Sequence, residues 1–386
     1  MASKVEGIQP DVLRWARESQ GISREDVAAH LGRELEEIEA WEDGTSAPTY
    51  SQLEDLAYKL FKRPIAVFFF PQRPDEPDLK QQFRTLPDFE LEELTADTRY
   101  QLRTAKVLQL SLKELHDGGN PSKNLIFRDI KLRPTDDVSK ASVAVRRYLG
   151  VTLEEQAKCR TVDDALKMWR VKVEDVGVYV FKHSFKQKSI SAFCLPDDEF
   201  PIIYLNNGNA KARQIFSIFH ELAHLMLGVP AISKTNLTHI QDLAPADRSI
   251  EVFCNAFAGE FLVPWEDLRG RIPKGAISDD ALATLASRYR VSREVILRRL
   301  LDHGLVGQAD YERRVGAFAG QGDNGGSGGD YYLNQAAYLG DRYLSLVFSR
   351  YYQGRIGIDE TAEYLNVKTK SLSRLEELAV QRGIAS

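Results

Sequence analysis

Apolar positions in the first seventy residues recur at helical spacing. Val12, Leu13, Trp15 and Ala16 mark one helix and Val27, Ala28 and Leu31 a second. Leu35, Ile38 and Trp41 mark a third, and Leu53, Leu56, Ala57, Leu60 and Phe61 a fourth. Gly21-Ile22-Ser23 ends the first and offers Ser23 as an N-cap, Gly32 turns the chain into the third, and Gly44 and Pro48-Thr49 precede the fourth. Two short helices joined across a Gly turn form the helix-turn-helix pattern. Pro71, Pro74 and Pro77 then prevent a continuing helix and set a boundary near residue 72. Residues 91–116 have the length and spacing of one long helix, and 138–149 and 162–173 read as two more. At Gly177 the period changes. Residues 177–181, 190–195 and 200–205 are short β-branched or aromatic runs bounded by turn residues, which predict a small sheet. Helices are expected again over 213–227, 250–262, 279–289 and 292–303, the last two meeting at Val291-Ser292 in another helix-turn-helix outline. A Gly-rich run at 320–329 has the composition of a flexible segment. The rest is helical, with one more two-helix turn at 357–368 and tyrosines (Tyr331, Tyr332, Tyr338, Tyr343, Tyr351, Tyr352) whose spacing suits packing.

Composition narrows the class. The 386 residues, 43% of them hydrophobic, suffice for two or three domains with real cores. The longest apolar run, residues 65–70, is far too short to span a bilayer, and the N-terminus lacks secretory-signal character, so a cytoplasmic protein with no membrane partner is expected. Cys159, Cys194 and Cys254 are widely spaced and odd in number, which fits neither a disulfide framework nor a thiolate metal site. The net charge of −5 offers no global attraction to nucleic acid. Residues 1–70 hold eight Lys and Arg against thirteen Asp and Glu, so the whole excess lies in the one segment whose pattern suggests DNA. Glu34, Glu36, Glu37, Glu39, Glu42 and Asp43 crowd the third helix, with only Arg33 opposing them. Carboxylates there argue against DNA and for a protein-binding module, and no DNA-contacting residue can be assigned.

One constellation carries a reaction: His220-Glu221-Leu222-Ala223-His224 within the apolar frame of Ile215, Ile218, Phe219, Leu225 and Leu227. Imidazoles four apart on a helix share a face and can reach one Zn²⁺, and Glu221 beside the first is suited to take a proton from water. The alternative is a buried helix with two hydrogen-bonded His, but buried polar groups on such a helix need a purpose. A hydrolytic zinc site needs a third protein ligand. A metzincin would have Gly and His where Leu227 and Pro230 stand, so a carboxylate on a later helix is the other solution. Glu251 opens the next predicted helix, Asn255 one turn on is placed to orient it or a ligand His, and Glu260 falls on the opposite face. His239 is a looser rival that could instead donate to an oxyanion.

Two resemblances follow. I-S-R-E-D-V-A-A-H-L-G and I-E-A-W-E-D-G-T-S-A-P-T, within residues 9–70, closely resemble the lambda-repressor-like (Xre) helix-turn-helix family. The strand Ile202-Ile-Tyr-Leu-Asn, the helix Arg213 to His224, Glu251-x-x-x-Asn255-x-Phe257-Ala258 and Leu262-x-Pro264 resemble the ImmA/IrrE family of bacterial zinc metallopeptidases over roughly 140–305. That resemblance implies Zn²⁺ on His220, His224 and Glu251, Glu221 as general base, and site-specific cleavage of an Xre-type repressor or antitoxin. Cys254 departs from it, standing where Ala usually precedes the Asn. The strand 202–205, bearing Tyr204, is expected to pair with an extended substrate as an exposed edge, and Arg213 to contact substrate or hold a carboxylate. The expected architecture is multidomain and mainly α with a small β-sheet. It comprises a five-helix-type helix-turn-helix domain over 1–72, a helical connector over 73–139, a zincin-like α+β peptidase domain over 140–305, a Gly-rich segment over 306–330 and a helical region over 331–386, with a homodimer conceivable. The competing class is a non-catalytic DNA-binding regulator or the antitoxin of a toxin-antitoxin or mobile-element module.

Overall fold

The computed structural model describes residues 3–76, 91, 93–234, 238–319 and 330–384, apart from the side chains of 238, 239 and 319. It is mainly helical with one small sheet. No helix among the described residues is long and apolar enough to cross a membrane. The chain forms two compact units, Met1–Thr104 and Ala105–Ser386.

In the first unit, α1 (Pro10–Glu18), α2 (Arg24–Leu31), α3 (Leu35–Glu42) and α4 (Tyr50–Asp55) follow the apolar pattern. They bury Leu13, Ala16, Val27, Ile38, Trp41, Leu53 and Phe61 together. Ser23 caps α2 in a reciprocal box with Asp26, and Gly32 takes the left-handed conformation (φ 60°) that the tight turn into α3 requires. In place of a full fifth helix there is a single 3-10 turn, Ile65–Phe69. Pro64 supplies no N–H and so ends the preceding helix before this turn begins. Glu42 also departs from the surface reading. It is buried at the end of α3, where Arg17 Nε donates to it at 2.6 Å and Arg24 Nε at 2.8 Å. Burial alone would raise its pKa, but the two guanidiniums hold it below the ordinary carboxylate value. The negative face of α3 is therefore Glu34, Glu36, Glu37, Glu39 and Asp43 without Glu42.

The long helix expected over 91–116 begins only at Ala96, as α5 (Ala96–Leu115). Thr95 explains the late start, its hydroxyl accepting from the Thr98 N–H at the new terminus. Next come α6 (Ile126–Asp129), α7 (Val138–Leu149), α8 (Leu153–Lys158) and α9 (Val162–Asp175), then β1 (Tyr179–His183), β2 (Ile190–Leu195) and β3 (Ile202–Asn206). After these lie α10 (Lys211–Leu227), β4 (Ala231–Lys234), α11 (Pro245–Leu262), α12 (Trp265–Arg269), α13 (Asp279–Tyr289), α14 (Arg293–Asp302) and α15 (Gln308–Ala319). The chain finishes with α16 (Tyr331–Leu339), α17 (Asp341–Tyr352), α18 (Ile358–Tyr364) and α19 (Leu372–Gln381).

The strands lie in the order β1-β3-β2-β4, with β1 and β3 parallel and the other pairs antiparallel. All of β2 and β3 is buried. Val180, Ala192, Cys194, Ile203 and Leu205 face a layer containing α7, α9, α10 and α11. Alternation sends Tyr179, Phe181, Phe193 and Tyr204 to the other face, where Tyr343 of α17 meets Phe181 edge-on at 5.3 Å. Gln109 reaches into that face and donates to the carbonyls of Leu195 and Phe200, satisfying acceptors at the end of β2 and just before β3. The C-terminal helices join the same unit, because Arg170 of α9 donates to the Ala337 and Leu339 carbonyls at the end of α16. Gly340, at φ 87°, lets that guanidinium come so close that a Cβ there would lie 2.1 Å from it.

Lys182 on β1 shows how burial appears as pH dependence. Burial, with Arg170 and Lys211 nearby, pushes its ammonium down to about 7, against the weaker pull of Asp163 and Glu174. Below about pH 7 the group is charged folded and unfolded, so the folded state bears the full desolvation cost. Between about 7 and the unfolded value near 10.4 the unfolded chain binds the extra proton, so stability rises with pH. Lys182→Met is accordingly expected to raise the melting temperature at pH 6.5, and to raise it much less at pH 9.5, by thermal denaturation at both values.

Candidate metal centre

The centre is built on α10, the most enclosed helix of the fold. Every residue from Gln214 to Met226 except Phe216 is buried, which leaves its polar groups no solvent to face. Gly228 ends the helix in the left-handed conformation (φ 75°), and the Val229 N–H returns to the His224 carbonyl. α11 crosses α10, pinned by Phe219 stacked on Phe261 at 4.0 Å and by Trp169 edge-on to Phe219 at 4.9 Å. That crossing brings Glu251 over the two imidazoles. α11 starts at Pro245, earlier than the pattern suggests, so Glu251 sits in its second turn and does not open it.

His224 Nε2 and His220 Nε2 lie 3.1 Å apart. Glu251 Oε1 is 3.1 Å from His224 Nε2, and Oε2 is 3.4 Å from His220 Nε2. The donor atoms of these three residues all fall within 4.8 Å of one another. Ligands about 2.0–2.1 Å from a tetrahedral Zn²⁺ stand about 3.3 Å apart, so the triangle has the size such an ion needs. Burial raises the cost of charge at Glu251, but the two imidazoles outweigh it and hold its pKa well below the ordinary value. Two imidazole nitrogens and a carboxylate converging inside a protein form a borderline-soft donor set that suits zinc. Neither His Nδ1 has a partner among the described residues, so the outer hydrogen bond common for ligand imidazoles is not supplied by them.

Glu221 is not one of the three converging donors but lies close to both imidazoles. Its side chain is wholly buried, and burial raises its pKa. Ser233 Oγ on β4 donates to Oε1, while Oε2 has no partner among the described residues. Ser191 Oγ in turn donates to the Ser233 carbonyl at 3.0 Å. Ser233 carries no signal in the sequence. Its place follows from β4 pairing with β2, which sets Ser233 opposite Ala192 beside α10. Ser233→Ala is expected to lower turnover about ten- to a hundredfold with bound metal unchanged, whereas Ser233→Thr keeps the hydroxyl and most activity. Steady-state kinetics and metal analysis check this.

The remaining sequence candidates separate. Asn255 Nδ2 donates to the Glu251 backbone carbonyl at 2.8 Å, so it steadies the helix turn carrying the carboxylate. Glu260 faces α14, where it pairs with buried Arg299 and accepts the Trp265 N–H. Arg213 donates to the Lys234 carbonyl at 3.2 Å and tethers the end of β4 to α10. His239 belongs to the turn Thr238–Asp242, and its side chain lies outside the described residues. Cys254, with its thiol pKa raised by burial, lies against His224, and Cys194 lies against Glu221. Two expectations are corrected. The strand β3 is interior, bonded to β1 on one side and β2 on the other, so it has no edge to offer a peptide. Tyr204 points to the face opposite α10 and stacks on Phe193 at 5.0 Å and Phe185 at 5.8 Å, which removes it from the site. The outer strand beside the centre is β4, a four-residue run directly after Pro230.

No curated protein matches the chain. Residues 173–301, about one third of its length, match the family model of Peptidase_M78, described as the IrrE N-terminal-like domain. The matched stretch runs from the end of α9 to α14 and holds His220, Glu221, His224, Ser233 and Glu251. Over residues 173–301 the chain is thus similar to the IrrE N-terminal-like domain of a peptidase family, which suggests a metallopeptidase-type function.

Proposed function

We propose that the chain is a zinc-dependent endopeptidase whose substrate is a protein regulator, an Xre-type repressor or antitoxin. The observation that carries this reading is the buried convergence of His220, His224 and Glu251 beside a separate carboxylate with a free oxygen. Zinc held by those three residues would supply a Lewis acid that polarises both a water and the scissile carbonyl. Glu221 Oε2 accepts the proton of the attacking water, and Glu221 then delivers it to the leaving amine. Ser233 keeps Oε1 engaged, so the base presents one oxygen in one orientation. The dry walls of α10 and α11 strengthen these electrostatic interactions. An extended peptide lying along β4 brings its carbonyl to this side of the sheet. The acidic face of α3 supports a protein-docking role for the first unit, since it repels phosphate.

The test is co-expression with Xre-type proteins encoded nearby, followed by mass spectrometry for new termini. Cleavage at a defined bond that disappears with Glu221→Gln supports the reading. Intact partners that are instead held in a stable complex, equally by wild type and variant, support the non-catalytic regulator.

A further inference from the structure

Among the described residues three pairs of consecutive helices meet across a short turn, and they differ in what the second helix shows to solvent. The pair α2–α3 presents the carboxylates already described. In α13–α14, which turns at Arg290 (φ 56°), the second helix spends its face on the core, burying Ile296, Leu297 and Leu300 and pairing Arg299 with Glu260.

The pair α18–α19 is different. It turns at Asn366 (φ 51°), and a 3-10 turn, Thr369–Ser371, leads into α19. Ala362, Leu365, Leu372, Leu375 and Ala379 are buried, as are Leu344, Val347 and Phe348 of α17. α17 packs on both α18 and α19, the 3-10 turn packs on α18, and α16 packs on α19, so α19 is held against a helical frame with one side free. The other side of that frame exposes Lys368, Thr369, Lys370, Ser373 and Arg374. No acidic residue occurs between Glu363 and Glu376. Lys368 and Lys370 have no ion-pair partner among the described residues, and Arg374 pairs only with Glu377 one turn on, at 2.7 Å with both side chains more than half exposed. Such an exposed pair is worth little and exchanges readily for a phosphate or a base. Thr369 donates to Asp359 at 3.2 Å, tying the turn to α18.

We propose that this face, from Lys368 to Arg374, binds duplex DNA. Lys368 and Lys370 neutralise phosphates, while Ser373 and Arg374 in the first turn of α19 are presented to the major groove, where a guanidinium recognises guanine. Residues 331–386 carry only a slight positive excess overall, seven Lys and Arg against six Asp and Glu, so the attraction comes from local placement. Nothing in this assignment depends on zinc or on proteolysis.

The test is fluorescence anisotropy of the full chain with a labelled mixed-sequence duplex of about 30 base pairs, titrated between about 50 and 200 mM salt. Wild type is expected to bind with affinity falling steeply as salt rises. Lys368→Glu, Lys370→Glu and Arg374→Glu combined should weaken binding at least tenfold and reduce the log–log salt slope by about two to three. The milder Lys370→Gln should weaken binding about threefold without changing the melting temperature, which separates lost contacts from lost folding. Arg33→Glu on the acidic pair should leave binding unchanged. The proposal is overturned if wild type does not bind the duplex, if the triple variant binds as tightly, if single-stranded RNA is preferred, or if Arg33→Glu causes an equal loss.

Discussion

Glu221→Gln is expected to cut the rate of peptide-bond cleavage by about three to four orders of magnitude while leaving one zinc per chain in place. Glu221 is not one of the three converging donors, so its charge is not needed to hold the ion. Gln keeps the volume of the wholly buried side chain, and a carbonyl at the Oε1 position still accepts from Ser233. What is lost is the basic oxygen at Oε2. Because burial raises the Glu221 pKa, the same group predicts the acid limb of the pH profile. Activity should fall as pH decreases, because protonation of Glu221 removes the base without unfolding the chain. Single-turnover kinetics across pH, with zinc quantified in parallel, measure both effects.

Removing a donor should have a different signature. Glu251→Ala or His224→Ala is expected to abolish zinc retention after dialysis and to lower the melting temperature to that of chelator-treated wild type. An ion at a thousand times its dissociation constant stabilises the folded state by about 4 kcal/mol, and both routes remove this term. A chelator added to either variant should then shift nothing further. An ion held by His220, His224 and Glu251 would join α10 to α11, and Glu221→Gln would leave that link whole. Calorimetry of wild type, chelated wild type and the two variants distinguishes the cases.

These expectations rest on groups that the sequence exposed unequally. His220, Glu221 and His224 are legible because a four-residue spacing on a helix fixes a shared face whatever surrounds it. Glu251 was reachable from an apolar helix pattern with one acid on the right face, although α11 begins five residues earlier than that pattern indicates. The sheet was legible in its first three strands and not in its order. Which strand is interior depends on long-range pairing, and β3, as apolar as β2, gives no local sign that both its sides are taken. Tyr204 therefore carries no local sign that it faces away from α10. β4 has no sequence signature because four residues cannot display an alternation, and neither has Ser233, since the contact to Glu221 exists only through the β2–β4 register. Charge counting likewise overstated the acidic face of α3, because Glu42 is drawn inward by Arg17 and Arg24 and contributes no outward field.

Zinc K-edge absorption spectroscopy of the purified chain tests the central claim most directly, because it reads stoichiometry and ligand type together. One zinc per chain with a shell of nitrogen and oxygen at about 2.0–2.1 Å, including two imidazoles, is the expected result. Protein without zinc, or a sulfur shell at about 2.3 Å that would make Cys254 a ligand, would contradict a centre built from His220, His224 and Glu251.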